Sequence, residues 1–83
     1  MFRIKMILED REIEKYLLSR NLLKQYLKAK KDVLEGRFKK ADFKKRQPKN
    51  QDVYYFRINQ KFRAIGYFEG DIFKVAYIDD HQK

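Results

Sequence analysis

The chain has no cysteine and one histidine. Without cysteine it can build neither a disulfide scaffold nor a thiolate zinc or iron–sulfur centre. A lone histidine excludes a multi-histidine metal cage. No apolar run approaches the roughly 20 residues that a membrane-spanning helix needs. The opening segment carries Arg3 and Lys5 and lacks a small-residue cleavage site, so it does not read as a secretory signal. Repeats and low-complexity tracts are missing too. A length of 83 residues leaves room for one domain, spanning 1–83, with a core that is only marginally large. These absences leave a cytoplasmic, single-domain protein as the expectation.

Large rings and positive charge are plentiful. Thirteen residues are Phe or Tyr, enough to build a core and to argue against a disordered basic tail. The 21 Lys and Arg against 12 Asp and Glu give a net charge of +9. That excess points to a polyanionic partner, with nucleic acid first, an acidic protein next and an anionic membrane last. Residues 37–50 hold seven cations (Arg37, Lys39, Lys40, Lys44, Lys45, Arg46 and Lys49) against one acid, Asp42. Residues 51–83 are neutral overall.

Met1–Leu8 alternates loosely and reads as a strand. From Glu9 the period becomes helical. Ile13, Leu17, Leu23, Leu27 and Leu34 fall near one stripe, with Tyr16, Tyr26 and Val33 beside it. Glu9, Asp10 and Glu12 favour a helix start, and Ser19-Arg20-Asn21 divides the stretch into helices over about 10–18 and 22–35. A single bent helix is the alternative. Gly36 reads as a C-terminal cap. Residues 37–52 form a long basic loop, with a short strand or turn near Phe38–Phe43. Val53–Asn59, Phe62–Phe68 and Ile72–Ile78 then read as strands joined by tight turns at Asn59-Gln60-Lys61 and Glu69-Gly70-Asp71. The expected fold is α+β: a small twisted antiparallel sheet, made of the N-terminal strand and the C-terminal meander, with both helices packed on one face.

A turn centred on Gln60 pairs Ile58 with Phe62 and Arg57 with Arg63. Alternation then gathers Tyr55, Arg57, Arg63 and Tyr67 on one face and sends Tyr54, Phe56, Ile58 and Phe62 beneath the helices. Two arginines directly across a ladder repel unless an anion or carboxylate lies between them. Such a face has the parts of an RNA-processing site. Guanidinium forks hold phosphate, tyrosine rings stack on unpaired bases, and His81 titrates near neutrality. The same residues also admit plainer readings. Arg57 and Arg63 fit solvated ions paired with Asp52, Glu69 or Asp71. The tyrosines fit sheet packing, and His81 fits an inert tail. The basic loop fits an acidic protein as well as RNA.

The run Tyr55-Phe56-Arg57-Ile58-Asn59-Gln60-Lys61-Phe62-Arg63-Ala64-Ile65-Gly66-Tyr67, followed by Ile72–Ile78 and His81, resembles the RelE/ParE superfamily of bacterial toxin–antitoxin toxins. The match covers about residues 52–82, and residues 1–36 agree in the order strand, helix, helix. The resemblance implies a toxin neutralised by a cognate acidic antitoxin, with a toxin–antitoxin hetero-oligomer as a possible assembly. In the RelE-like branch it implies ribosome-dependent cleavage of mRNA without metal or cofactor, through attack of the ribose 2′-hydroxyl to leave a cyclic phosphate. Arg57 and Arg63 then match the sheet arginines that bind phosphate and stabilise the transition state, and His81 matches a general acid or base. Tyr67 stands one position after the family's strand tyrosine, with Gly66 in that slot. The cations Arg37, Lys39, Lys40, Lys44, Lys45, Arg46 and Lys49, with Tyr55, form the expected RNA-docking set. Partners are the ribosome and mRNA, with no membrane. The alternatives are a ParE-like gyrase poison without RNase activity and a non-catalytic RNA-binding relative. A tail two residues long after His81 speaks against the gyrase poison.

Overall fold

The change of period at Glu9 is a physical boundary. A computed structural model of the chain describes residues 4–46 and 52–80. In it, β1 (Met6–Leu8) gives way to α1 (Arg11–Ser19) across Asp10. The Asp10 carboxylate accepts the Ile13 amide at 3.0 Å, satisfying one amide that the first turn cannot pair. Glu12 and Glu14 add negative charge at the positive end of the helix. The chain then reverses through Asn21, whose φ of 58° is left-handed, into α2 (Leu23–Leu34). Asparagine tolerates that conformation better than most side chains. Gly36, at φ 83°, follows the end of α2.

The turn at Asn21 resets the helical phase, and the stripe expected on α2 is corrected by it. Leu22, Tyr26, Ala29 and Val33 face the core, whereas Leu27 and Leu34 are exposed. The buried set follows its own i, i+4, i+7, i+11 spacing. Tyr26 is fully buried against Phe56, with ring centroids 5.9 Å apart. Its hydroxyl donates to Glu9 at 2.9 Å, and Lys30 pairs with the same carboxylate at 2.9 Å. The linker before α1 is thereby tied to α2. Burial first, and then the negative charge of Glu9, raise the Tyr26 phenol above its ordinary value.

Beyond α2 the chain adds β2 (Lys44–Lys45), β3 (Tyr54–Arg57), β4 (Phe62–Glu69) and β5 (Ile72–Asp80). The strand order is β1-β5-β4-β3-β2. The meander β3-β4-β5 is antiparallel, as expected. β1 instead joins β5 in parallel, Ile7 lying opposite Phe73, so the sheet is mixed. The expected architecture otherwise stands: α+β, with both helices closing over one sheet face. The core between them gathers Ile13, Leu17, Tyr26, Phe56, Ala64 and Phe73. Among the described residues no helix is long and apolar enough to cross a membrane.

Both hairpin turns form for local reasons. The Asn59 side chain accepts the amides of Lys61 and Phe62 at 2.8 and 2.9 Å, a side-chain turn typical of asparagine. Gly70 adopts φ 62° between β4 and β5. On β4, Ile65 faces Tyr77 and Gly66 faces Val75, which leaves Ala76 as an extra residue. A Cβ on Gly66 would overlap the Lys74 carbonyl oxygen, so the bulge closes only over a glycine.

Candidate functional site

The turn at Asn59 sets the register of the sheet's other face. Arg57 pairs with Arg63, and Arg63 with Asp79, in a single cross-strand row. The next row places Lys44, Tyr55, Ile65 and Tyr77 side by side. Ile65 is buried between the two tyrosines. The expected grouping of Tyr55, Arg57 and Arg63 is therefore present.

The two arginines are held differently. The Arg63 guanidinium carbon lies 4.7 Å from the centroid of the Tyr55 ring, a stacked cation–π contact. Tyr55 is buried, which gives that contact a fixed base. Arg57 reaches Asp42, with Nη2 3.4 Å from Oδ2, and its Nε is buried without a hydrogen-bond partner among the described residues. The plainer pairings do not form at Arg57. Asp52 lies 3.4 Å from Lys45, and Glu69 lies 2.8 Å from Lys74.

The basic loop is anchored by its rings. Phe43 packs against Phe38, Tyr54, Phe68 and Phe73, so the segment is tied to the core. Its charges divide into three groups. Arg37 donates from Nε to Asp32 at 3.0 Å, and hydrogen bonds to Asp32 and Glu35 raise its affinity for its proton. It fastens the loop to α2 and does not join the arginine face. Lys39 and Lys40 are exposed at the turn. Lys44, Lys45 and Arg46 border Tyr55 and Arg63 around a basin of about 370 Å³. Arg46 reaches over the sheet to donate to the Tyr77 hydroxyl. Lys49 lies outside the described residues.

Tyr67 shares the face but not the site. It is four residues along β4 from Arg63, about 13 Å at ordinary strand rise. It lines a separate hollow with Leu8, Asp10 and Lys74. His81 lies outside the described residues. Sequence reasoning missed Tyr77, Asp79 and Asp42. The alternation of β5 would have offered Tyr77 and Asp79 had the second hairpin's register been worked out. Nothing local signals that Asp42 meets Arg57.

Chemically, the basin offers three cations around a ring-backed guanidinium, and no carboxylate lines it among the described residues. Its volume sits at the low end of the roughly 300–1,000 Å³ usual for ligand clefts, which suits a nucleotide-sized group rather than a larger ligand. Asp79 stands opposite Arg63 across the β4–β5 ladder. Comparison with protein-family models finds no match to this chain, and no curated protein matches it.

Proposed function

We propose that this protein is the toxin of a bacterial toxin–antitoxin module, and that it cleaves mRNA on the ribosome. The observation that carries the reading is the opposed pair Arg57 and Arg63 on the face turned away from the helices, with Arg63 stacked on Tyr55 beside Lys44, Lys45 and Arg46. Like charges placed across a ladder favour an anion between them. In the proposed reaction a ribose 2′-oxygen attacks the neighbouring phosphorus and the bond to the 5′-oxygen breaks. The products are a cyclic phosphate and a 5′-hydroxyl end. Arg57 and Arg63 neutralise the charge that grows on the phosphoryl oxygens. His81 is assigned to proton transfer at the attacking or the leaving oxygen. The lysines and Arg46 hold the RNA backbone, and the exposed Tyr77 offers a ring to an unpaired base, whereas Tyr55 is buried beneath Arg63 and backs that guanidinium. A cognate acidic antitoxin is the partner that would cover this face.

Inducible expression in a bacterium, with mapping of mRNA 5′ ends, tests the reading. The expected result is growth arrest with new 5′-hydroxyl ends inside coding sequences. Gyrase trapped on DNA with intact mRNA would assign the protein to the gyrase-poisoning branch. Normal growth with intact mRNA would leave only RNA binding.

A further inference from the structure

The two edges of the sheet are protected differently. β2, at one end of the strand order, consists of Lys44 and Lys45, and lysines on an edge repel a like strand that approaches it. β1, at the other end, is Met6-Ile7-Leu8 and carries no charge. It pairs with β5 on one side, and no described strand pairs its outer side. Ile7 is buried, whereas Met6 and Leu8 are 42 and 43 % exposed, on the face turned away from the helices. Leu8 stands in one cross-strand row with Lys74 and the exposed Tyr67, beside a hollow of about 390 Å³. On the helix side, the exposed Leu34 lines a hollow with Ile4 and Lys5 at the start of the strand. Apolar surface therefore flanks the open edge on both faces.

A chain of net charge +9 repels its own copies over most of its surface. Around β1 the charges are matched, Lys74 pairing with Glu69 at 2.8 Å and Lys30 with Glu9 at 2.9 Å. Lys5 stands before the strand and Asp10 after it, both exposed. The segment Lys5-Met6-Ile7-Leu8-Glu9-Asp10 thus runs from a cation through three apolar residues to acids. Laid antiparallel on itself about Ile7, it sets Met6 against Leu8 of a second copy and Lys5 beside Glu9 and Asp10 of that copy, and each contact occurs twice. Laid parallel, it sets cation beside cation and acid beside acid, which is unfavourable. We infer that β1 is a self-association surface, where two copies pair their β1 strands antiparallel about a two-fold axis between the two Ile7 residues. The two five-stranded sheets then join into one. Directly opposed residues of an antiparallel pair share a face, so Met6 and Leu8 of both copies pack together on the open side, and both arginine basins open on that side. The inference goes beyond the RNA reading and stands without it.

Three strand residues a side make an interface below the standard size, so the dimer is expected to form reversibly between about 10 µM and about 1 mM. Sedimentation equilibrium of the full chain over that range tests it, with the amide signals of Met6, Ile7 and Leu8 followed by NMR. The average mass is expected to rise from 10.3 kDa toward twice that value, and the β1 signals to move with concentration. The double variant Met6→Lys, Leu8→Lys places like charges across the axis and is expected to stay monomeric. Both positions are exposed, so its melting temperature should match that of the parent. The double variant Met6→Glu, Leu8→Lys places opposite charges across the axis and is expected to recover the dimer. A dimer retained by the two-lysine variant, or lost equally by both variants, overturns the antiparallel pairing. A dimer lost in Leu27→Lys, Leu34→Lys while the β1 signals stay still places the contact on α2 and overturns it as well. A chain that is monomeric at every concentration overturns the second copy as occupant. If its β1 signals then move on addition of an alternating Glu-Val peptide, the edge takes a foreign strand instead.

Discussion

Arg63 is oriented before any ligand arrives, because its guanidinium rests on a buried tyrosine ring. A donor held in this way loses little freedom on binding, and in the proposed reaction it acts at full strength as charge develops. Arg63→Ala is expected to lower ribosome-dependent mRNA cleavage by at least about a hundredfold. Its melting temperature should stay close to that of the parent, since a half-exposed surface cation contributes little to stability. Arg63→Lys is not expected to restore activity, because lysine has neither the fork nor the flat face. Full cleavage by Arg63→Ala would remove Arg63 from the chemistry. Tyr26 makes a separate prediction. Its phenol holds its proton more tightly in the folded chain than its ordinary value of 10.0, through burial first and Glu9 second. The folded state therefore keeps this contribution below pH 10 and loses it as pH rises further. Urea midpoints measured from about pH 8 to pH 11 should fall on the alkaline side, and Tyr26→Phe should flatten that fall.

At the scale of elements, the sheet depends on one glycine. Gly66 lies at the register shift, where a methyl group would overlap the Lys74 carbonyl, and backbone cannot move aside as a flexible side chain can. Gly66→Ala is expected to cost about 3 kcal/mol or more, read as a lowered denaturation midpoint, and a near-neutral result would contradict the bulge geometry. The same position sets Gly66 and Tyr67 on opposite faces. Gly66 faces the core side with Tyr54, where a large ring has no room, while Tyr67 points to the open face. The first hairpin was legible because Asn59 determines its own turn, and the turn determines which arginine meets which. The parallel docking of β1 was not legible, because three residues carry too little period to name a neighbour. The buried face of α2 was misjudged because Leu27 and Leu34 outweigh Ala29 in hydrophobicity, yet the turn at Asn21 sets the phase. Arg46 meeting Tyr77 spans 31 residues of sequence, and no local pattern reports such a contact.

At the scale of the molecule, the net charge of +9 is spread over separate tasks. Arg37 and Lys30 secure the fold, while Lys44, Lys45, Arg46 and Arg63 surround the basin. If those four cations each meet one phosphate of a single strand, log affinity should fall against log salt with a slope near about −3. A slope near zero would mean that the basin does not track a phosphate backbone. The sheet order carries one more consequence. β5, the last strand described, lies between β1 and β4, so the first strand has no ladder to join until the last has been made. A contact of such long sequence separation forms late, after the local helices and the first hairpin. During synthesis the arginine pair on β3 and β4 would be complete while Asp79 and Tyr77 were still missing from its flank. This face of the sheet is thus completed only once β5 has been made, and until then β1 and the outer side of β4 remain open to any strand that reaches them first.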